Sequence, residues 1–195
     1  QSEIMIAFIS YIQMDYDNAI LNFKKIINKY PSHKDLDYVY YMIAISNYEQ
    51  LQNESLDGYF NNLALEAFDQ VIKRFPESKY AKDSRQKIIL VNSNIAAKHM
   101  EIGRFYLNNK KYIAALNRFK IVIDEFSITK FTPEALHRMV EAYYEIGMYE
   151  ESYNTAALLG YNYPDSKWYK LSYNLVKQID GEETFLRKIR NFFDG

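Results

Sequence analysis

One amphipathic helix is written four times along this chain, and that repetition restricts the fold more than any other feature. Residues 15–31 read DYDNAILNFKKIINKYP and residues 111–127 read KYIAALNRFKIVIDEFS. The two share Tyr16/Tyr112, Ala19/Ala115, Phe23/Phe119, Lys24/Lys120 and Ile27/Ile123. Between them, LALEAFDQVIKRFPE sets Ala64, Phe68, Ile72, Phe75 and Pro76 at the places of Ala19, Phe23, Ile27, Tyr30 and Pro31. A weaker fourth copy, YEESYNTAALLGYNYPD, has Ser152 and Ala156 where the others have Ala and Phe. Each copy ends on an aromatic residue, then Pro or Ser, then Lys three positions later: Tyr30-Pro31…Lys34, Phe75-Pro76…Lys79, Phe126-Ser127…Lys130 and Tyr163-Pro164…Lys167. The closing positions 31, 76, 127 and 164 stand 45, 51 and 37 residues apart.

Another amphipathic stretch precedes each copy, at 2–13, 36–51, 79–108 and 133–146, so the unit is a helix hairpin. The small residue lets two helices approach, because a larger side chain there overpacks the crossing. Phe four positions on shares its face and fills the space beside it. The closing Pro lacks an N–H and disfavours helix in the residue before it, which stops the second helix. This is the pattern of the tetratricopeptide repeat, a two-helix unit that stacks on its neighbours. The expected fold is an all-α tetratricopeptide-repeat α-solenoid. It forms one domain over 1–195, with repeats near 2–31, 36–76, 79–127 and 133–164 and C-terminal helices in 165–195.

Departures from a regular period predict local features. The segment QNESLDGYF (52–60) reads as a polar insertion between the helices of the second repeat. Residues 78–109 contain no Pro and only Gly103, so they form one long helix or two with a kink near 92–94. DSKWYKLSYNLVKQI reads as a terminal helix over the last repeat's open apolar face. GEETFLRKIRNFFDG places Phe185, Ile189, Phe192 and Phe193 on one face and reads as a tail helix packed on the array.

Composition narrows function. A formal net charge of −1 gives no electrostatic case for nucleic acid. Zero Cys excludes disulfides and thiolate metal sites. No apolar run reaches membrane-spanning length. The chain opens inside an amphipathic pattern, without Met or a signal peptide, and so reads as a trimmed piece of something longer. His33, His99 and His137 lack metal-ligand spacing, and His99 and His137 read as polar-face residues. No Ser sits in a nucleophile-elbow context and no phosphate loop occurs. Glu150-Glu151 suits a helix start. No cofactor and no enzymatic activity are expected, and what remains is protein recognition. Arg118 stands where the first copy has Asn22. Arginine is enriched at interface hot spots and can grip a carboxylate with two hydrogen bonds, which makes Arg118 the leading contact residue.

The stretch FPESKYAKDSRQKIILVNSNIAAKHMEIGRFYLNNKKYIAALNRFKIVIDEF resembles the BamD family, lipoproteins of outer-membrane protein assembly in Gram-negative bacteria. The residues that carry the likeness are Pro76, Ser78, Tyr80, Asp83, Phe105-Tyr106, Tyr112, Ala114-Ala115 and Asn117-Arg118. LDYVYYMIAISNYEQL (36–51) matches a further helix of that family. The chain departs from it at His99, Asn109 and Ser127. The resemblance implies a five-repeat, non-catalytic periplasmic scaffold, lipid-anchored to the outer membrane, of which this chain lacks the first repeat and the anchoring Cys. It implies a BamA-like POTRA domain, other assembly-complex lipoproteins and unfolded outer-membrane proteins as partners. The candidate partner-binding residues are Arg118, Asn117, Lys111, Tyr112, Arg138 and Glu141. Two other readings are another periplasmic tetratricopeptide adaptor, of the Tol-associated envelope-constriction type, and a hidden hydrolase or metal enzyme.

Overall fold

A computed structural model describes residues 2–51 and 58–180. Helices in this region are α1 (Ser2–Ile12), α2 (Tyr16–Lys29), α3 (Leu36–Gln50), α4 (Gly58–Arg74), α5 (Lys79–Asn108), α6 (Tyr112–Glu125), α7 (Thr132–Glu145), α8 (Tyr149–Asn162) and α9 (Lys167–Asp180). The four copies of the motif are α2, α4, α6 and α8. The chain divides into two compact units, Gln1–Val91 and Asn92–Gly195. α5 runs through the division as one helix of 30 residues, about 45 Å long at the usual rise, rather than two joined by a break. The insertion is shorter than its sequence suggests, since Gly58, Tyr59 and Phe60 already belong to α4. The expected tail helix over 182–193 lies outside the described residues.

The repeated positions form the core. Ala19, Ala64 and Ala115, and Phe23, Phe68 and Phe119, are all fully buried. In the first unit α1, α2 and α3 close around Ala7, Phe23, Ile26 and Val39, while Phe68 and Val71 of α4 pack against Ala44 and Ile45. α3 is buried nearly all round, as an inner helix flanked on two sides must be. In the second unit Phe119 and Val122 pack with Ala96, Met100 and Met139. Gly103 is needed there, because an added Cβ would lie 2.5 Å from the Phe119 ring. α9 packs on α7 and α8, with Val176 set against Val140, Tyr153 and Ala156.

Turn chemistry explains why the hairpins form where they do. The tight turns after α1, α5 and α7 each carry one residue in the left-handed region: Met14 (φ 61°), Lys110 (φ 58°) and Gly147 (φ 77°). At each turn the next N–H bonds back five residues: Asp15 to Ser10 (3.0 Å), Lys111 to Tyr106 (2.9 Å) and Met148 to Tyr143 (2.9 Å). This is a Schellman closure, and the donor residue then caps the following helix. Asp15 caps with its side chain as well, accepting from the Asn18 N–H at 3.3 Å. The closing aromatics make the second kind of turn. Carbonyls of Tyr30, Phe75, Phe126 and Tyr163 each accept the N–H three residues on, at 3.0–3.1 Å. Proline at the second position of three of these turns presets the required φ. Ser78 and Ser166 then accept the N–H of Tyr80 and Trp168, starting α5 and α9.

Candidate functional site

The six candidate residues all fall in the second unit but do not form one cluster. Lys111 closes the α5–α6 turn and is exposed. Tyr112 begins α6, and its hydroxyl donates to Glu145 Oε2 of α7 at 3.2 Å. Burial, that hydrogen bond and the Glu145 charge hold its phenol above the ordinary value. Asn117 is exposed midway along α6, and Arg118 beside it is half-buried. Among the described residues Arg118 has no ion pair and no hydrogen bond. Its charge bears on His99 of α5, whose ring stacks on Phe126 at 6.1 Å. Burial, and then Arg118, hold the His99 imidazole below its ordinary value. Arg118 and Glu125, one heptad apart on α6, therefore share the face turned towards His99.

Arg138 and Glu141 are brought together on α7, with Nη1 donating to Oε2 at 2.7 Å. Around them lies a network that sequence reasoning missed. Glu134 accepts from Arg104 of α5 at 2.9 Å and lies 3.7 Å from Arg138 Nε. His137, expected on a polar face, is instead only 4% exposed. Its Nδ1 lies 2.8 Å from Ser172 Oγ of α9 and its Nε2 3.5 Å from Glu141. Burial alone would raise the Glu141 carboxyl; hydrogen bonds from His137 and Arg138 outweigh it and hold the group below the ordinary value. Trp168 of α9 lies tilted beside the His137 ring (5.3 Å between centroids) and beneath the Arg138 guanidinium (5.4 Å). The spacing of Glu134, His137, Arg138 and Glu141 at three and four residues was the available signal. Ser172 could not be linked to it, being 35 residues from His137. Ser172 is fully buried, so its contact with His137 fastens α9 to α7 and exposes no nucleophile.

The first unit holds a separate groove of about 560 Å³ over α3, between α2 and α4. Ile20, Ile43, Phe60 and Leu63 supply apolar surface there, with Lys24 and Asn47 among the polar groups. Asn47 donates its amide to the Ile43 carbonyl at 2.8 Å. Among the described residues no group of three or more His or carboxylate side chains could hold a metal. No described helix is long and apolar enough to cross a membrane.

Comparison with known proteins agrees with this architecture. The family model YfiO, described as an outer membrane lipoprotein, matches residues 1–159. Outer membrane protein assembly factor BamD of Rickettsia prowazekii is 42% identical over 91% of this chain and 70% of its own length. The protein of the same name from Caulobacter vibrioides is 40% identical over 90% of this chain and 58% of its own length. That from Neisseria meningitidis is 26% identical over 85% of this chain and 66% of its own. The chain thus spans roughly three fifths to seven tenths of these relatives. With helix hairpins of the tetratricopeptide type in both units, the chain belongs to the YfiO/BamD family of outer membrane lipoproteins.

Proposed function

We propose that the chain serves as a non-enzymatic scaffold subunit of the outer-membrane β-barrel assembly machinery, binding a BamA-like POTRA domain through α6 of its second unit. The observation that carries the reading is Arg118. Its side chain is half-buried and lacks a carboxylate partner among the described residues, so part of its desolvation cost is already met without compensation. A partner's Asp or Glu arriving there makes two parallel hydrogen bonds in a partly dry setting, where such bonds are strongest. Asn117 beside it offers an exposed amide, and Lys111 and Tyr112 frame the turn at the start of the same helix. Arg138 and Glu141 are already paired with each other, which puts the charge contact on Arg118 rather than on them.

The groove of the first unit suits unfolded outer-membrane protein segments, since it combines aliphatic and aromatic walls with side-chain amides. Other lipoproteins of the complex are further partners, and no bond is made or broken in this role. A pull-down with the full-length lipoprotein from cell envelopes tests the reading. Recovery of the BamA barrel protein is expected; repeated recovery of envelope proteins without it would sink the proposal.

A further inference from the structure

α5 and α6 meet along two facing stripes. Ala96, Met100 and Gly103 of α5 lie against Ala115, Phe119 and Val122 of α6. His99 falls between Ala96 and Gly103 at helical spacing, and Arg118 falls between Ala115 and Val122, so the two flank the same crossing. The His99 ring stacks on Phe126, about two helical turns beyond Arg118, with centroids 6.1 Å apart. Both side chains are half-buried, and each leaves a polar group unmet among the described residues. Arg118 has no ion pair and no hydrogen bond. Nδ1 of His99 is buried without a hydrogen-bond partner.

These two features set the charge of the ring. Nδ1 is shut off from water, so in the cationic form it would carry an N–H with nothing to receive it. The neutral tautomer protonated on Nε2 avoids that buried orphan donor. The surrounding charges act mostly in the same direction. Burial and then Arg118 disfavour the cation, Glu125 of α6 favours it, and Lys98 of α5 adds a smaller opposing charge. No described residue of α7 adds a further charge. An anionic group that engages Arg118 changes this balance. It cancels the positive charge that repels the proton and sets a negative one near the ring in its place.

We propose that Arg118 and His99 form one proton-linked pair: Arg118 keeps the ring neutral in the free chain, and a carboxylate engaging the guanidinium brings a proton onto His99. The inference rests on the reading of Arg118 as the contact for a partner's carboxylate. Binding and proton uptake then favour each other, and by reciprocity the contact tightens as pH falls through the range where histidine changes charge. His99 is a positioning residue here, since it acts through Arg118 and need not touch the partner.

Two measurements test the pair, the first without any partner. In the free chain the imidazole signals of His33, His99 and His137 are followed by NMR against pH, with His99 identified by its loss in His99→Gln. The His99 midpoint should rise by about half a pH unit or more in Arg118→Gln and stay low in Arg118→Lys, which keeps the charge. His33, in the first unit, should titrate alike in wild type and both Arg118 variants. The second measurement is calorimetry with the BamA POTRA domain in buffers of different ionisation heat. Net proton uptake is expected at about pH 6. Affinity should be about fivefold or more higher at about pH 5.5 than at about pH 7.5, a dependence that His99→Gln loses. The proposal is overturned by equal His99 midpoints in wild type and Arg118→Gln, by uptake that persists in His99→Gln, or by proton release on binding. Absence of POTRA binding would overturn the partner reading alone, and the midpoints would still decide the pair.

Discussion

α2 and α6 have nearly the same inward face and different outward ones. Ala19 and Ala115, Phe23 and Phe119, and Ile26 and Val122 occupy matching buried places. Both helices follow a turn with a left-handed residue, Met14 or Lys110, and both end on an aromatic carbonyl that closes the next turn. Outward they diverge. Asn22 accepts a local contact from Lys25 at 3.5 Å, whereas Arg118 in the same place has no partner among the described residues and its charge bears on His99. Positions shared between copies carry the packing, and the unshared position is where recognition can be written.

Their partner helices differ as well. Seven residues before the left-handed position, α1 has Ala7 and α5 has Gly103. Ala7 fits in the cluster with Phe23, whereas a Cβ at 103 would meet the Phe119 ring. The third hairpin is therefore the tighter of the two.

These pairs give direct tests. Truncating the shared aromatic, Phe23→Ala or Phe119→Ala, should cost about 3–5 kcal/mol at either site by chemical denaturation. A loss at only one would break the equivalence of the two helices. Gly103→Ala should destabilise by about 1–3 kcal/mol through overpacking against Phe119. An unchanged melting temperature would show that the third hairpin is no closer than the first. Met14→Gly and Lys110→Gly should each stabilise by about 0.5–1 kcal/mol, because glycine adopts positive φ without the steric cost borne by a side chain. Destabilisation at either site would mean that the side chain contributes more than the turn costs.

The second unit also has an acid-sensitive element that the first lacks at the matching place. The Glu141 carboxyl lies below its ordinary value of 4.5 in the folded chain. A depressed carboxylate adds stability above its unfolded value, and that contribution disappears as pH falls through the folded one. The wild type should therefore lose stability more steeply than Glu141→Gln below about pH 4.5. Parallel pH profiles would remove His137 and Arg138 as the cause.

Much of the packing was legible because it repeats. Ala and Phe at a fixed offset, closed by aromatic-Pro, specify a hairpin whatever surrounds them. The left-handed turns were not, since only Gly147 advertises its conformation while Met14 and Lys110 look like ordinary residues. Burial of His137 was hidden because it depends on Ser172 from a helix two elements away. Arg118 could be singled out as a difference between copies, but its lack of a partner is a property of the assembled unit and cannot be read from the helix alone.

The central claim is that the outward difference between α2 and α6 is the partner contact. Isothermal titration of the POTRA domain of BamA from the same organism into wild type, Arg118→Glu and Asn22→Glu tests it most directly. The account predicts that Arg118→Glu weakens binding by at least about a hundredfold with helicity intact, and that Asn22→Glu binds as the wild type does. Wild-type affinity in Arg118→Glu, or an equal loss in both variants, would contradict it.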